Sequence, residues 1–120
     1  MMGEAKSGAE RRRFPRVTVN FVTVEVYSPI GEPQEPEMCF VINLSENGMM
    51  IRSSCVLSPS QRIRLTFTIP DKEDMVIRTD AIVIHGQQLE NSRFYGIQFK
   101  NLGLAEQTEL REFVKNNTPS

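Results

Sequence analysis

The sequence is poor in the residues that most often carry metal or covalent chemistry. It holds one histidine, His85, and two cysteines, Cys39 and Cys55, in 120 residues. The cysteines have neither the CxxC spacing of redox and zinc sites nor the density of a disulfide-stapled scaffold. They read as small, partly buried hydrophobes. No histidine stands with cysteine or carboxylate at metal-ligand spacing, and there is no nucleophile elbow or phosphate loop. Glutamate and aspartate are scattered through loops and the last amphipathic segment. Catalysis, a bound metal and a resident cofactor are therefore not expected. The N-terminus has no apolar signal-like core, and no run approaches about 18 apolar residues. The expectation is a soluble, cytoplasmic protein without membrane insertion.

A chain of 120 residues is one domain by length, and a core of that size needs no disulfide or metal. Charge is nearly balanced, 14 basic against 15 acidic residues, so the whole molecule is no general polyanion binder. Its distribution is uneven. Lys6 and four arginines against Glu4 and Glu10 leave residues 1–16 at +3, and the rest of the chain at −4, out of a total of −1. A basic arm on a mildly acidic body points to a local anion site.

Residues 1–9 are small, polar and aperiodic, as in a disordered tail. Val17, Val19 and Phe21 alternate on one face, then Val22, Val24 and Val26 on the other, a phase switch that predicts a bulge or bend. Residues 28–36 hold three prolines and a glycine and form a loop. The continuous apolar run Met38-Cys39-Phe40-Val41-Ile42 predicts a strand covered on both faces. After a turn at residues 43–48, Met49-Met50-Ile51 begins another strand, and residues 53–60 form a loop. Ile63, Leu65, Phe67 and Ile69 are expected to face inward and Arg62, Arg64, Thr66 and Thr68 outward. Residues 70–74 read as a polar hairpin connection, 76–85 as a strand, 86–92 as a polar turn and 94–99 as a last strand. Gly96 interrupts that strand as a bulge or a point of close approach. Leu110, Phe113 and Val114 then follow helical spacing among good helix formers, with fraying from Asn116. About six short strands and one C-terminal helix favour a closed or nearly closed antiparallel barrel.

Two stretches carry functional chemistry. The first is Arg11-Arg12-Arg13-Phe14-Pro15-Arg16. An arginine fork grips phosphate bidentately, matches the O6/N7 edge of guanine, and stacks on a base. Pro15 holds Phe14 toward extended geometry. The second stretch is Asn43-Leu44-Ser45-Glu46-Asn47-Gly48. Asn43 and Ser45 each offer an acceptor and a donor, and Gly48 permits a positive φ or close backbone approach. Each stretch also has a plainer reading, as a solvated basic patch or as a hairpin corner satisfying its own backbone.

Together they resemble the PilZ domain, the bacterial receptor module for cyclic di-GMP, whose signature pairs R-x-x-x-R with [DN]-x-S-x-x-G. The matching residues are Arg11-Arg12-x-x-x-Arg16 and Asn43-x-Ser45-x-x-Gly48. Ala81-Ile82-Val83 and Tyr95-Gly96-Ile97-Gln98-Phe99 look like the family's last two strands, and the C-terminal helix is typical. The resemblance implies a mainly β fold, a six-stranded antiparallel split β-barrel with a C-terminal α-helix. It places the domain at residues 10–115, between a tail at 1–9 and a frayed end at 116–120. It also implies that Arg12 and Arg16 hold phosphate and the guanine Hoogsteen edge, with Arg11 in support. Asn43 and Ser45 would bond a guanine, and Gly48 would keep the turn open. Asn43 replaces the more frequent aspartate, which weakens that contact. Arg13 and His85 are possible supporting residues. With no output domain in the chain, the signal is expected to pass to an unidentified downstream protein, in motility, exopolysaccharide or biofilm control. Two other readings keep a barrel: a PilZ-like protein–protein adaptor without nucleotide, and a small single-stranded nucleic-acid-binding barrel. The second needs aromatic platforms in a basic groove, whereas the aromatics here mostly sit in apolar alternation on an acidic body.

Overall fold

A computed structural model describes residues 15–20, 22–27, 36–70 and 72–118. The elements are β1 (Val17–Thr18), β2 (Thr23–Tyr27), β3 (Glu37–Leu44), β4 (Gly48–Ser53), β5 (Arg62–Ile69), β6 (Lys72–Leu89), β7 (Ser92–Lys100) and α1 (Leu104–Asn117). All pairings are antiparallel. The order β3-β2-β5-β6-β7-β4 closes on itself through β3–β4, so six strands form a barrel. Closure removes the edges that an open sheet would leave unpaired.

The seventh strand, β1, lies outside the ring on the edge of β3 that β2 also uses. Thr18 faces Asn43 and Thr23 faces Phe40, so the β1–β2 side carries two more residues than β3 over the same span. Val19 N–H donates to the Ile42 carbonyl, and Val41 N–H donates to the Val22 carbonyl, on either side of that break. The switch of alternation expected between Val19 and Val22 is thus an irregularity in one long edge. It sets the N-terminal residues beside the C-terminal end of β3.

Alternation on β5 is as expected, with Ile63, Leu65, Phe67 and Ile69 all buried. They meet Val24, Val26, Val41, Leu44, Met49, Ile51, Ile77, Val83, Ile97 and Phe99 in one core. Helix α1 adds Leu110, Phe113 and Val114, the three residues its spacing singled out. Two ion pairs hold the helix to strand turns: Lys72 to Glu109 at 2.8 Å and Arg111 to Glu46 at 3.2 Å.

Four expectations fail. The run at residues 38–42 is covered on one face only. Met38 is 54% and Phe40 48% exposed, while Cys39 and Val41 are buried. A continuous apolar run does not distinguish a doubly covered strand from a barrel strand whose outer face is also apolar. The residues expected as a polar turn, 86–92, mostly continue the β6–β7 ladder, which ends in the two-residue turn Glu90-Asn91 with Glu90 at φ 55°. Every residue from Ile84 to Asn91 is exposed. Cross-strand hydrogen bonds sustain this arm without a hydrophobic face, so its composition carries no strand signal. Lys72 to Asp74 likewise belong to β6, and α1 runs through Asn117, where the Asn117 side-chain amide donates to the Phe113 carbonyl. The expected disordered tail at residues 1–9 lies outside the described residues.

Candidate ligand-binding site

β1 and β3 bring the two sequence signatures together. Val17 pairs with Leu44 and Thr18 with Asn43, so Arg16 enters the sheet beside the end of β3. Its guanidinium donates from one terminal nitrogen to Asn43 Oδ1 at 3.1 Å. A residue from each stretch therefore meets in one polar contact, part-buried, with the outward surface of the barrel before it. Arg11, Arg12 and Arg13 lie outside the described residues.

Within the turn, the three motif positions divide by direction. Asn43 is half-buried and turned outward, between inward-facing Val41 and Leu44, because the β3–β4 register shifts between Val41 and Asn43. Ser45 is 1% exposed. Its hydroxyl lies 2.8 Å from Asn47 Oδ1 and 3.2 Å from the Gly48 carbonyl oxygen, and it accepts from Asn47 N–H at 3.4 Å. Ser45 N–H also donates to the Gly48 carbonyl. In this conformation Ser45 is a fastener of the turn. The φ of Gly48 lies outside the left-handed range that favours glycine. A Cβ there would stand 2.2 Å from the Ile97 carbonyl oxygen, so glycine is required by the close approach of β7. Glu46, at an unconstrained position of the motif, is held by Arg111 of α1, so the helix braces the turn from outside.

Cross-strand register extends the surface beyond the two motifs. Thr18, Asn43, Met50, Gly96 and His85 form one lateral row across β1, β3, β4, β7 and β6. Neighbouring strands stand about 4.8 Å apart, so Asn43 and His85 are separated by about 14 Å along the curved sheet. Gly96 leaves space that the His85 ring enters, because a Cβ on Gly96 would lie 2.5 Å from His85 Nε2. His85 is exposed. The next outward row holds Phe40, Arg52, Phe94 and Gln87. The Arg52 guanidinium sits 5.1 Å from the centre of the Phe40 ring, within cation–π range. Nothing in the sequence marked Phe40, Met50 or Arg52. The register sets Met50 beside Asn43 and Arg52 beside Phe40, three residues earlier on the same strand as Asn43.

Behind this surface Tyr95 is buried. Its hydroxyl donates to the Cys55 carbonyl at 3.1 Å and accepts from Leu57 N–H at 3.0 Å, tying the β4–β5 connection to β7. Gly86 has no Cβ because the Tyr95 ring lies against it. Cys39 is buried and Cys55 half-buried, both as free thiols, and burial raises the pKa of each. Among the described residues no group of three or more His, Cys, Asp or Glu side chains could hold a metal ion. Among the same residues no helix is long and apolar enough to cross a membrane.

The family model for the PilZ domain matches residues 10–116, nearly the whole chain. The chain belongs to the PilZ domain family. No curated protein matches it in sequence. Solved structures, PilZ domains among them, resemble it in fold. MotI (DgrA), described as an inhibitor of motility of Bacillus subtilis, superposes with a TM-score of 0.74 at 16% identity, over 88% of this chain and 50% of that one. The PilZ domain of Escherichia coli YcgR, solved with c-di-GMP, gives 0.68 at 14% identity, over 89% of this chain and 91% of that domain. MrkH of K. pneumonia, solved as a c-di-GMP complex, gives 0.69 at 18% identity, over 88% of this chain and 52% of that one. This PilZ chain thus spans about half the length of MotI and of MrkH. At these identities the likeness establishes the fold: a PilZ barrel of six strands with one strand outside it and a C-terminal helix.

Proposed function

We propose that this PilZ domain is a receptor for cyclic di-GMP, acting by binding rather than catalysis and passing the signal to a partner protein. The observation that carries the reading is the contact between Arg16 and Asn43, which joins one residue of each family motif on one outward surface. YcgR and MrkH, its neighbours in fold, were both solved with c-di-GMP. Arg16 is assigned to a phosphate and the Hoogsteen edge of a guanine, where its charge-assisted bonds are stronger than neutral ones. Asn43 is assigned to the guanine's Watson–Crick edge, where its amide can both donate and accept. Ser45 and Gly48 contribute by holding Asn43 in place, and His85 and Arg13 are assigned supporting contacts.

Arg12 and Arg11 are proposed to complete the grip from the N-terminal side, with residues 1–16 folding over the nucleotide. Ordering the arm costs conformational entropy, which the charged hydrogen bonds offset. Unchanged amide exchange in residues 8–16 at saturating ligand would sink that part of the reading. The setting is proposed to be the cytoplasm, and the output motility, exopolysaccharide or biofilm control. The inward hydroxyl of Ser45 favours a second reading, an adaptor that keeps the motif as architecture and binds no nucleotide.

Isothermal titration of cyclic di-GMP into the purified chain separates the two. GTP and a short single-stranded oligonucleotide serve as controls. Micromolar or tighter binding of cyclic di-GMP alone is expected, and the stoichiometry reports one bound nucleotide or two. A folded sample giving no heat would leave the adaptor reading.

A further inference from the structure

Away from the Arg16–Asn43 surface, the outer face of β5, β6 and β7 carries a groove of about 580 Å³ lined by Arg62, Arg64, Asp80, Ile82, Lys100 and Asn101, among others. Its charge runs against that of the body around it. Residues 17–120 together carry −4, yet the groove gathers three cations around one carboxylate.

Register explains the gathering. Arg64 faces Asp80, which faces Lys100, and Arg62 faces Ile82. Asp80 is already engaged, accepting from Arg64 Nε at 3.0 Å. Among the described residues, Arg62 and Lys100 have no ion-pair partner. Elsewhere on the body several cations have partners, Lys72 with Glu109, Arg111 with Glu46, Arg93 with the Ser54 carbonyl and Arg52 with the Phe40 ring. Exposed Arg78 on β6 and Lys115 on α1 have no ion pair among the described residues. The groove is where three cations of the strands gather in one concavity around a single carboxylate. Arg62 and Arg64 project from one strand two residues apart, about 7 Å at strand rise. The carboxylates at alternate positions of an extended peptide have the same spacing.

We propose that this groove docks an extended acidic segment of a partner protein, with carboxylates at i and i+2 meeting Arg62 and Arg64 and a further one meeting Lys100. It rests on the reading above only in taking the output to be a protein partner. A nucleic-acid backbone is the less favoured occupant because the chain as a whole is at −1 and lacks the long-range field that draws a polyanion in. Ile82 on the groove floor gives an apolar strip between the charges, which suits a peptide with small apolar residues between its carboxylates.

The test is an amide-resolved titration of the full chain with a synthetic peptide alternating glutamate and threonine. The glutamine version of that peptide and oligothymidylate serve as controls. Expected are shifts confined to residues near 62–64, 80–82 and 100–101, for the glutamate peptide only, and weakening with added salt. The double variant Arg62→Glu/Arg64→Glu is expected to bind that peptide about tenfold more weakly, as for two lost exposed ion pairs. It is also expected to stay folded and keep its affinity for cyclic di-GMP, with a modest fall in melting temperature because a carboxylate at position 64 faces Asp80. If that variant folds poorly, Lys100→Glu carries the same test. Equal binding of the glutamine peptide, shifts elsewhere or none, or tighter binding of oligothymidylate at these residues would overturn the proposal. Loss of cyclic di-GMP affinity in the double variant would overturn it too, by making the groove part of the nucleotide site. A wild-type chain that binds the peptide but not cyclic di-GMP would instead count against the receptor reading and leave the groove standing.

Discussion

Asn43 and Ser45 stand two residues apart in one turn, and both belong to the signature that relates this chain to PilZ domains, yet the fold uses them in opposite ways. Asn43 faces outward and takes a hydrogen bond from Arg16. Ser45 is buried with its hydroxyl among Asn47 and Gly48 of its own turn. Gly48 sides with Ser45, since β7 leaves no room for a side chain there. The motif therefore mixes a residue turned outward, the one proposed to meet the ligand, with residues that build the turn beneath it. Equal standing in a sequence pattern does not mean equal standing in chemistry.

The largest effect expected from this division is at Gly48. Gly48→Ala sets a methyl against the Ile97 carbonyl oxygen, a backbone atom that yields only if β4 and β7 separate. The cost is expected on the order of 2–3 kcal/mol of stability, read from denaturant unfolding, with binding lost as a consequence. Near-normal stability would mean the strands part easily at this point. Arg16→Ala is expected to do the reverse. Binding of cyclic di-GMP weakens by about 1.5–3 kcal/mol, while stability of the free chain moves by no more than about 0.5 kcal/mol. A matching loss of both would make Arg16 a structural residue. Ser45→Ala lies between them. Removing its buried hydroxyl is expected to cost about 1–2 kcal/mol of stability and to weaken binding through the displaced turn.

A smaller effect sharpens the same contrast between inner and outer side chains. Burial holds the Cys39 thiol above its ordinary pKa, so the folded chain keeps a proton that the unfolded chain releases. The associated stability is fully present below the ordinary thiol range and is lost as pH rises through it toward the raised folded value. Unfolding curves measured into the alkaline range are expected to show this fall, and Cys39→Ala is expected to flatten it. Cys55 contributes in the same direction from a more exposed position.

Features that depend on local periodicity were legible in the sequence. The inward face of β5, the helical triplet Leu110, Phe113 and Val114, and the break between Val19 and Val22 all follow from side-chain spacing along one element. Features that depend on which strand lies beside which were not. The meeting of Arg16 with Asn43 was anticipated through the family signature, but the inward direction of Ser45 rests on the β3–β4 register. Met50 and Arg52 join the surface only through pairings that no local pattern encodes. The same holds for the clasp of Glu46 by Arg111, 65 residues on. The exposed β6–β7 arm was missed for a different reason: cross-strand hydrogen bonds alone hold it, and they leave no mark on composition.

The central claim is that Arg16 and Asn43 act as one unit on the ligand while Ser45 holds the frame. A double-mutant cycle of Arg16→Ala and Asn43→Ala, read by calorimetric titration of cyclic di-GMP, tests it most directly. The claim predicts that the double variant loses less than the sum of the two single losses, by at least about 0.5 kcal/mol, with all three variants as stable as the parent. Strictly additive losses, or variants that bind as the parent does, would contradict it.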